Sequence, residues 1–407
     1  MTTLGLVEVT ERTLYRDEAE HADVYPLDEK MGLLRIGGRY SRYTGNFGHL
    51  AGGYYARLPE RDVLTLLKGT LGIELEKDSL AAIGGAVAQP YLPPRYDEEA
   101  ENREIPEAPV RGSGFIERRI QEIDASPDRE AIIAKALEDG AAGVECERTA
   151  SDKSAAYVLA DGTGISGLPK ELSDKGKNGG PAKTFEAKIG ASFTQSFDSN
   201  DLPLLQKGSI FRNPGSTRYM GTVEKIAQFT PQMEEFARTN GIADASQIVF
   251  LSDGALWLEG LRMKLFPGSI GIVDFYHASQ HLYKLIDSLL FYSKKKKASF
   301  TDKCYRLLEL GDIDQLAELI GQKAVGSNKD SVDKQLAYFT GNRDKMRYGL
   351  FRAAGLFIGS GVIEAACKTI VENRLNGSGM RWSKKNAANV IALRCEIYSG
   401  RYDDDAA

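Results

Sequence analysis

The sequence predicts an α/β fold: a mixed five-strand sheet, an inserted helical subdomain and an N-terminal mainly helical region. Three observations carry that prediction. Residues 155–273 alternate apolar runs and helical periodicities in the order β-β-β-α-β-α-β, residues 278–355 form one long helix-rich stretch, and residues 59–89 hold two amphipathic segments broken at glycine.

The 407 residues suit two or three domains, and 42% hydrophobic with 27% charged residues excludes a disordered or collagen-like chain. No apolar run nears the roughly 18 residues that span a bilayer. The first residues lack a basic start and an apolar signal core, so a cytoplasmic protein is expected. Cys146, Cys304, Cys367 and Cys395 form no C-x-x-C pair, which argues against a disulfide framework and a zinc ribbon. With a net charge of −5, any nucleic-acid contact must come from local patches.

In the N-terminal region (1–91), "PERDVLTLLKG" and "KDSLAAIGGAVAQ" read as two helices joined by a turn, the outline of a helix-turn-helix. The second, Ser79 to Ala88, offers no Arg, Lys or Asn to base edges, which favours a packed helical unit. Residues 92–153 carry sixteen acids against nine bases and read as a proline-rich acidic linker followed by a helix around "ERRIQEIDASPDREAIIAKALEDG". The first part of the sheet domain, 154–277, holds three antiparallel candidates ("AAYVLAD", "TFEAKIGASFTQSF", "STRYMGTV"). A helix stopped by Gly241, the buried strand "QIVFLSD", the helix "ALWLEGLRMKLFPG" and the buried strand "SIGIVD" follow. That order matches a sheet of the RNase H-like type. Residues 278–355 are too long for a loop and read as a helical insertion, whose Lys294–Lys297 run reads as a solvated face. The second part, 356–407, opens on the helix "GSGVIEAACKTIVENRL" and ends in a basic segment.

Two strands end in Asp-Gly, at Asp161 and Asp253, where a carboxylate sits on the rim of the sheet and glycine lets a ligand approach. Either alone also reads as a turn-initiating aspartate. Together they repel, and a divalent cation relieves that repulsion while gaining oxygen ligands. Glu364, in the first turn of the late helix, is a third acid; Cys367, Lys368 and Val371 follow at spacings that turn one face to the sheet and keep Lys368 near Glu364. Two Mg²⁺ (or Mn²⁺) ions held by Asp161, Asp253 and Glu364 suit phosphodiester cleavage: one acidifies a water or 3′-hydroxyl nucleophile and the other stabilises the leaving oxygen. His21 and His49 have no motif context, and neither a P-loop nor H-E-x-x-H is present.

The segments "DGTGISGLPKEL", "GPAKTFEAKIGASFT", "STRYMGTVE", "LSDGALWLEGLRMKLFPGSIGIVDFYHASQHL", "YFTGNRDKMRYGLFRAAGLFIGSGVIEAACKTIVENRLNGSGMRW" and "ALRCEIYSGRY" run in order over residues 155–402. In them the chain resembles bacterial insertion-sequence DDE transposases of the ISKra type, relatives of the Mutator-like transposases. The resemblance implies an RNase H-like catalytic domain, Asp161, Asp253 and Glu364 as the catalytic triad, and Asp274 with His277 as a D-x-x-H element. Taken alone, His277 also reads as a structural histidine, and His281 shares its face of a helix. Relatives carry an N-terminal C-x-x-C ribbon before a "PLDE"-like segment; here "YPLDEKMGL" has no cysteine upstream, which bears on end recognition rather than cleavage.

Downstream of Glu364, residues 364–401 hold seven bases against three acids. Lys368, Arg374, Arg381, Lys384 and Lys385 are candidates for DNA phosphates, with a solvated helix face and a core Trp382 as the alternative. The expected function is a DNA transposase that cleaves element ends and joins the 3′-hydroxyls to target DNA, acting on terminal inverted repeats as a homo-oligomer. A non-catalytic or domesticated regulator with the same fold, or an RNase H-like structure-specific nuclease, are the alternatives.

Overall fold

Five strands build the central sheet: β1 Lys153–Ser166, β2 Thr184–Phe197, β3 Arg218–Thr222, β4 Gln247–Ser252 and β5 Ile270–Val273. In this computed structural model they lie in the order β3-β2-β1-β4-β5. The first three are antiparallel, and β4 runs parallel to both β1 and β5. The described residues are 15–17, 22–24, 32–36, 39–96, 114–146, 153–172, 182–242, 245–323 and 329–402. The "PLDE" segment, His21 and the linker over 97–113 lie outside them.

One correction concerns β1. The strand does not stop at Asp161 but continues to Ser166, because β2 keeps pairing: Asp161 faces Ile189 and Ser166 faces Thr184. Gly162 and Gly164 do not end a strand whose partner continues; at Gly162 a Cβ would lie 2.6 Å from the Glu186 carboxylate.

The N-terminal region adds a hairpin, Leu33–Ile36 with Arg39–Thr44, before its helices. Helix α1 (Gly45–Arg57) is capped by Thr44, whose hydroxyl accepts the Phe47 N–H. Helices α2 (Glu60–Leu71) and α3 (Lys77–Ala88) match the two expected segments. The acidic stretch holds two helices, Phe115–Asp124 and Arg129–Glu138, separated at Pro127.

The sheet is covered on both faces. Helices α4 (Ile226–Thr239) and α5 (Leu256–Leu265) bury Phe229, Met233, Leu258 and Leu261 against Ala156, Val158 and Phe250. On the other face Tyr157, Leu159 and Leu251 join the main core with α6 (Phe275–Asp287) and α7 (Gly361–Ala366). Residues 278–355 are helical at the end of α6 and over 294–310, 313–321, 329–341 and 348–353. Helix α8 (Lys384–Tyr398) packs against β3 and receives α1 and α3. Among the described residues no helix is long and apolar enough to cross a membrane.

Candidate active site

Strand register brings the first two acids together. Leu159 of β1 pairs with Leu251 of β4, and the same offset two residues on sets Asp161 beside Asp253. Ser252 pairs with Val273 of β5, so Asp274 continues the row. Because strand side chains alternate, Asp161 and Asp253 share the face of Leu159 and Leu251, toward α6 and α7.

Asp161 is half-buried. Burial pushes its carboxyl above the ordinary range, the Gly162 N–H donated to Oδ1 at 2.7 Å opposes this, and the neighbouring Asp253 adds to the rise. Cys367 Sγ lies 3.8 Å from Asp161 Oδ2. Burial first, then Asp161, drives this thiol far above its usual value, so it is a weak donor to the acid rather than a nucleophile. Cys367 opens a π-helical turn, Cys367–Glu372, and within it Cys367 and Val371 are buried while Lys368 is exposed, like Glu364.

Asp253 follows the last residue of β4. Its Oδ1 accepts the Ala255 N–H at 2.8 Å, so the aspartate does start a turn, and it does so while standing beside Asp161. Its carbonyl accepts the Tyr338 hydroxyl at 3.0 Å, which ties the helical insertion to this rim. Gly254 has φ +86°, and a Cβ there would meet the Tyr338 ring at 3.2 Å.

Glu364 is exposed in the first turn of α7, and its Oε1 accepts the Ser360 hydroxyl at 3.0 Å. After burial, the Cys367 thiol feels Asp161 and, more weakly, Glu364. Among the described residues, however, no three His, Cys, Asp or Glu side chains converge closely enough to hold a metal ion. The Asp161–Asp253 pair is formed; Glu364 remains bonded to Ser360.

Asp274 is fully buried. Its Oδ1 caps α6 by accepting the His277 N–H, and its Oδ2 accepts the Ser360 N–H. Both oxygens are thus engaged by main chain, and the residue locks the start of α6 to the loop that leads into Glu364. His277 acts on Asp161 as the weakest of the influences on its carboxyl, and its Nε2 is 3.1 Å from His281 Nε2. His281 stacks on Tyr338 with centroids 4.4 Å apart. Burial, followed by His277 and Lys284, lowers its affinity for a proton, with Asp253 acting in the opposite direction. Cys367, expected on the face turned to the sheet, does meet Asp161, whereas nothing in the sequence marked Tyr338 as a neighbour of Asp253.

Of the proposed phosphate-binding residues, Lys368, Arg381, Lys384 and Lys385 are exposed. Arg374 is not: it is 2% exposed, its Nε donates to the Tyr55 carbonyl at 3.1 Å, and its guanidinium lies 4.9 Å over the Trp382 ring. A planar cation between the faces of Tyr55 and Trp382 belongs to the core. Trp382 itself is buried and donates Nε1–H to the Leu375 carbonyl at 2.9 Å.

No protein-family model matches the chain, and no curated protein matches it.

Proposed function

We propose that the chain is a DDE transposase with an RNase H-like catalytic domain, acting on double-stranded DNA. The observation that carries this reading is the register that sets Asp161, within β1, beside Asp253, just past the end of β4, where the parallel pairing of the two strands stops. Three antiparallel strands followed by two parallel ones, in the order 3-2-1-4-5, support the RNase H-like assignment.

The donors are carboxylate oxygens, and the pair carries an electrostatic cost that a hard divalent cation would relieve. A Mg²⁺ or Mn²⁺ ion held by Asp161 and Asp253 would supply charge neutralisation and a more acidic nucleophile for in-line phosphoryl transfer. Glu364 completes the set by giving up its bond to Ser360 Oγ, a rotation open to an exposed glutamate. Lys368, Arg381, Lys384 and Lys385 meet phosphates near Glu364. Work on two paired DNA ends calls for a homo-oligomer.

The test is a supercoiled plasmid incubated with the full chain and Mg²⁺ or Mn²⁺. Nicking and joining of 3′-hydroxyl ends are expected, and Asp253→Asn abolishes both while the circular dichroism spectrum is unchanged. Joining that survives in the folded variant contradicts the reading. The engagement of Glu364 with Ser360 favours a second reading, a DNA-binding regulator without catalysis, which would bind DNA and never nick it.

A further inference from the structure

We propose that His277 and His281 form a two-imidazole site for a first-row divalent transition-metal ion, for which Zn²⁺ is the probe. The two residues lie four apart on α6, one turn above each other on the same face. This is the spacing by which H-E-x-x-H helices present paired imidazoles to zinc. Their Nε2 atoms are 3.1 Å apart. With zinc–nitrogen bonds of about 2.0–2.1 Å, tetrahedral coordination separates two ligand nitrogens by about 3.3 Å and right-angled coordination by about 2.9 Å. The observed separation falls between these values.

The pair is held in place from several sides. The His281 ring is stacked on Tyr338 at an interplanar angle of 22°. The start of α6 is pinned by Asp274, so both rings project from a fixed turn. Both are half-buried, leaving an approach for an ion and for the waters that complete its shell. The 3.1 Å separation suits an Nε2–H on one neutral ring donated to Nε2 of the other. Binding an ion at both Nε2 atoms moves that hydrogen to Nδ1 of the same ring, so no net proton is released from two neutral imidazoles. Nitrogen donors select transition metals over Mg²⁺, whereas Asp161 and Asp253 offer only oxygen. On the catalytic reading above, a second doubly charged ion within electrostatic reach of Asp161 and Asp253 antagonises Mg²⁺; the binding experiment itself does not depend on that reading.

The experiment is a Zn²⁺ titration of the full-length protein against a chromophoric chelator. Wild type is expected to bind one Zn²⁺ that both His277→Ala and His281→Ala weaken at least tenfold, while Asp253→Asn, which removes a neighbouring charge but no nitrogen donor, weakens it less than either alanine variant. A His281→Cys variant loaded with Co²⁺ should show a thiolate-to-cobalt charge-transfer band that wild type lacks, and this reports the site even where an alanine variant folds poorly. Equal Zn²⁺ affinity in wild type and both folded alanine variants, or no such band in His281→Cys, overturns the proposal. Loss of nicking in Asp253→Asn with zinc binding intact keeps the two assignments separate.

Discussion

Asp274 and Ser360, 86 residues apart in the chain, are joined through the Ser360 N–H and a carboxylate oxygen of Asp274 in a fully buried position. The same carboxylate caps α6. This one side chain therefore sets the spacing between the histidine-bearing helix and the turn that carries Glu364.

Asp274→Ala removes the cap, worth about 1 kcal/mol, and leaves a buried Ser360 N–H unpartnered, costing about 1–3 kcal/mol more. Urea unfolding should show a loss of about 2–4 kcal/mol with an unchanged m-value. A loss below 1 kcal/mol would mean that water takes over both donors.

Asp161→Asn is expected to stabilise the protein at neutral and alkaline pH. The carboxyl is held above its unfolded-state value, chiefly by burial. Its favourable contribution is therefore full below the unfolded value of about 4 and is lost as pH rises through the folded value. The melting temperature of Asp161→Asn should exceed that of wild type at pH 8, and the gap should close toward pH 4. A gap that does not change with pH would show that ionisation of Asp161 is not the cause.

The basic residues that follow Glu364 in the chain divide into two kinds. Arg374→Ala loses cation–π contacts to Tyr55 and Trp382 and leaves the Tyr55 carbonyl without its Arg374 donor, costing about 2–4 kcal/mol in stability. Lys384→Gln with Lys385→Gln should leave the melting temperature unchanged and lower the salt dependence of DNA affinity by about 2 in log–log slope. The reverse pattern would return Arg374 to the DNA-facing set.

Much of the fold was legible because buried parallel strands are written as continuous apolar runs, as in "QIVFLS" and "IGIV", and the intervening helices keep a clear period. The length of β1 was hidden by Asp161-Gly162, which looks like a stop. The signal that could have found it is the 14-residue alternation of Thr184–Phe197, since an antiparallel partner of that length needs an equally long strand. Helix α1 was missed because "GNFGHLAGGYYAR" is poor in helix-forming residues, and packing rather than propensity makes it helical: Gly52 and Gly53 admit Val87 and Tyr402 at close range. Arg374 could not be placed from sequence, because its partner Tyr55 lies 319 residues away. Both aspartates were legible as Asp-Gly pairs, although only Asp253 follows a strand end, and their pairing depends on a register that no single segment encodes.

The most direct test of the central claim is equilibrium Mn²⁺ binding to the wild-type chain, Asp161→Asn and Asp253→Asn, followed by the paramagnetic signal of free Mn²⁺. If the two carboxylates share an ion, each single substitution weakens binding at least tenfold, about 1.4 kcal/mol, and the double substitution costs little more than either alone. Wild-type affinity in both single variants would contradict the account.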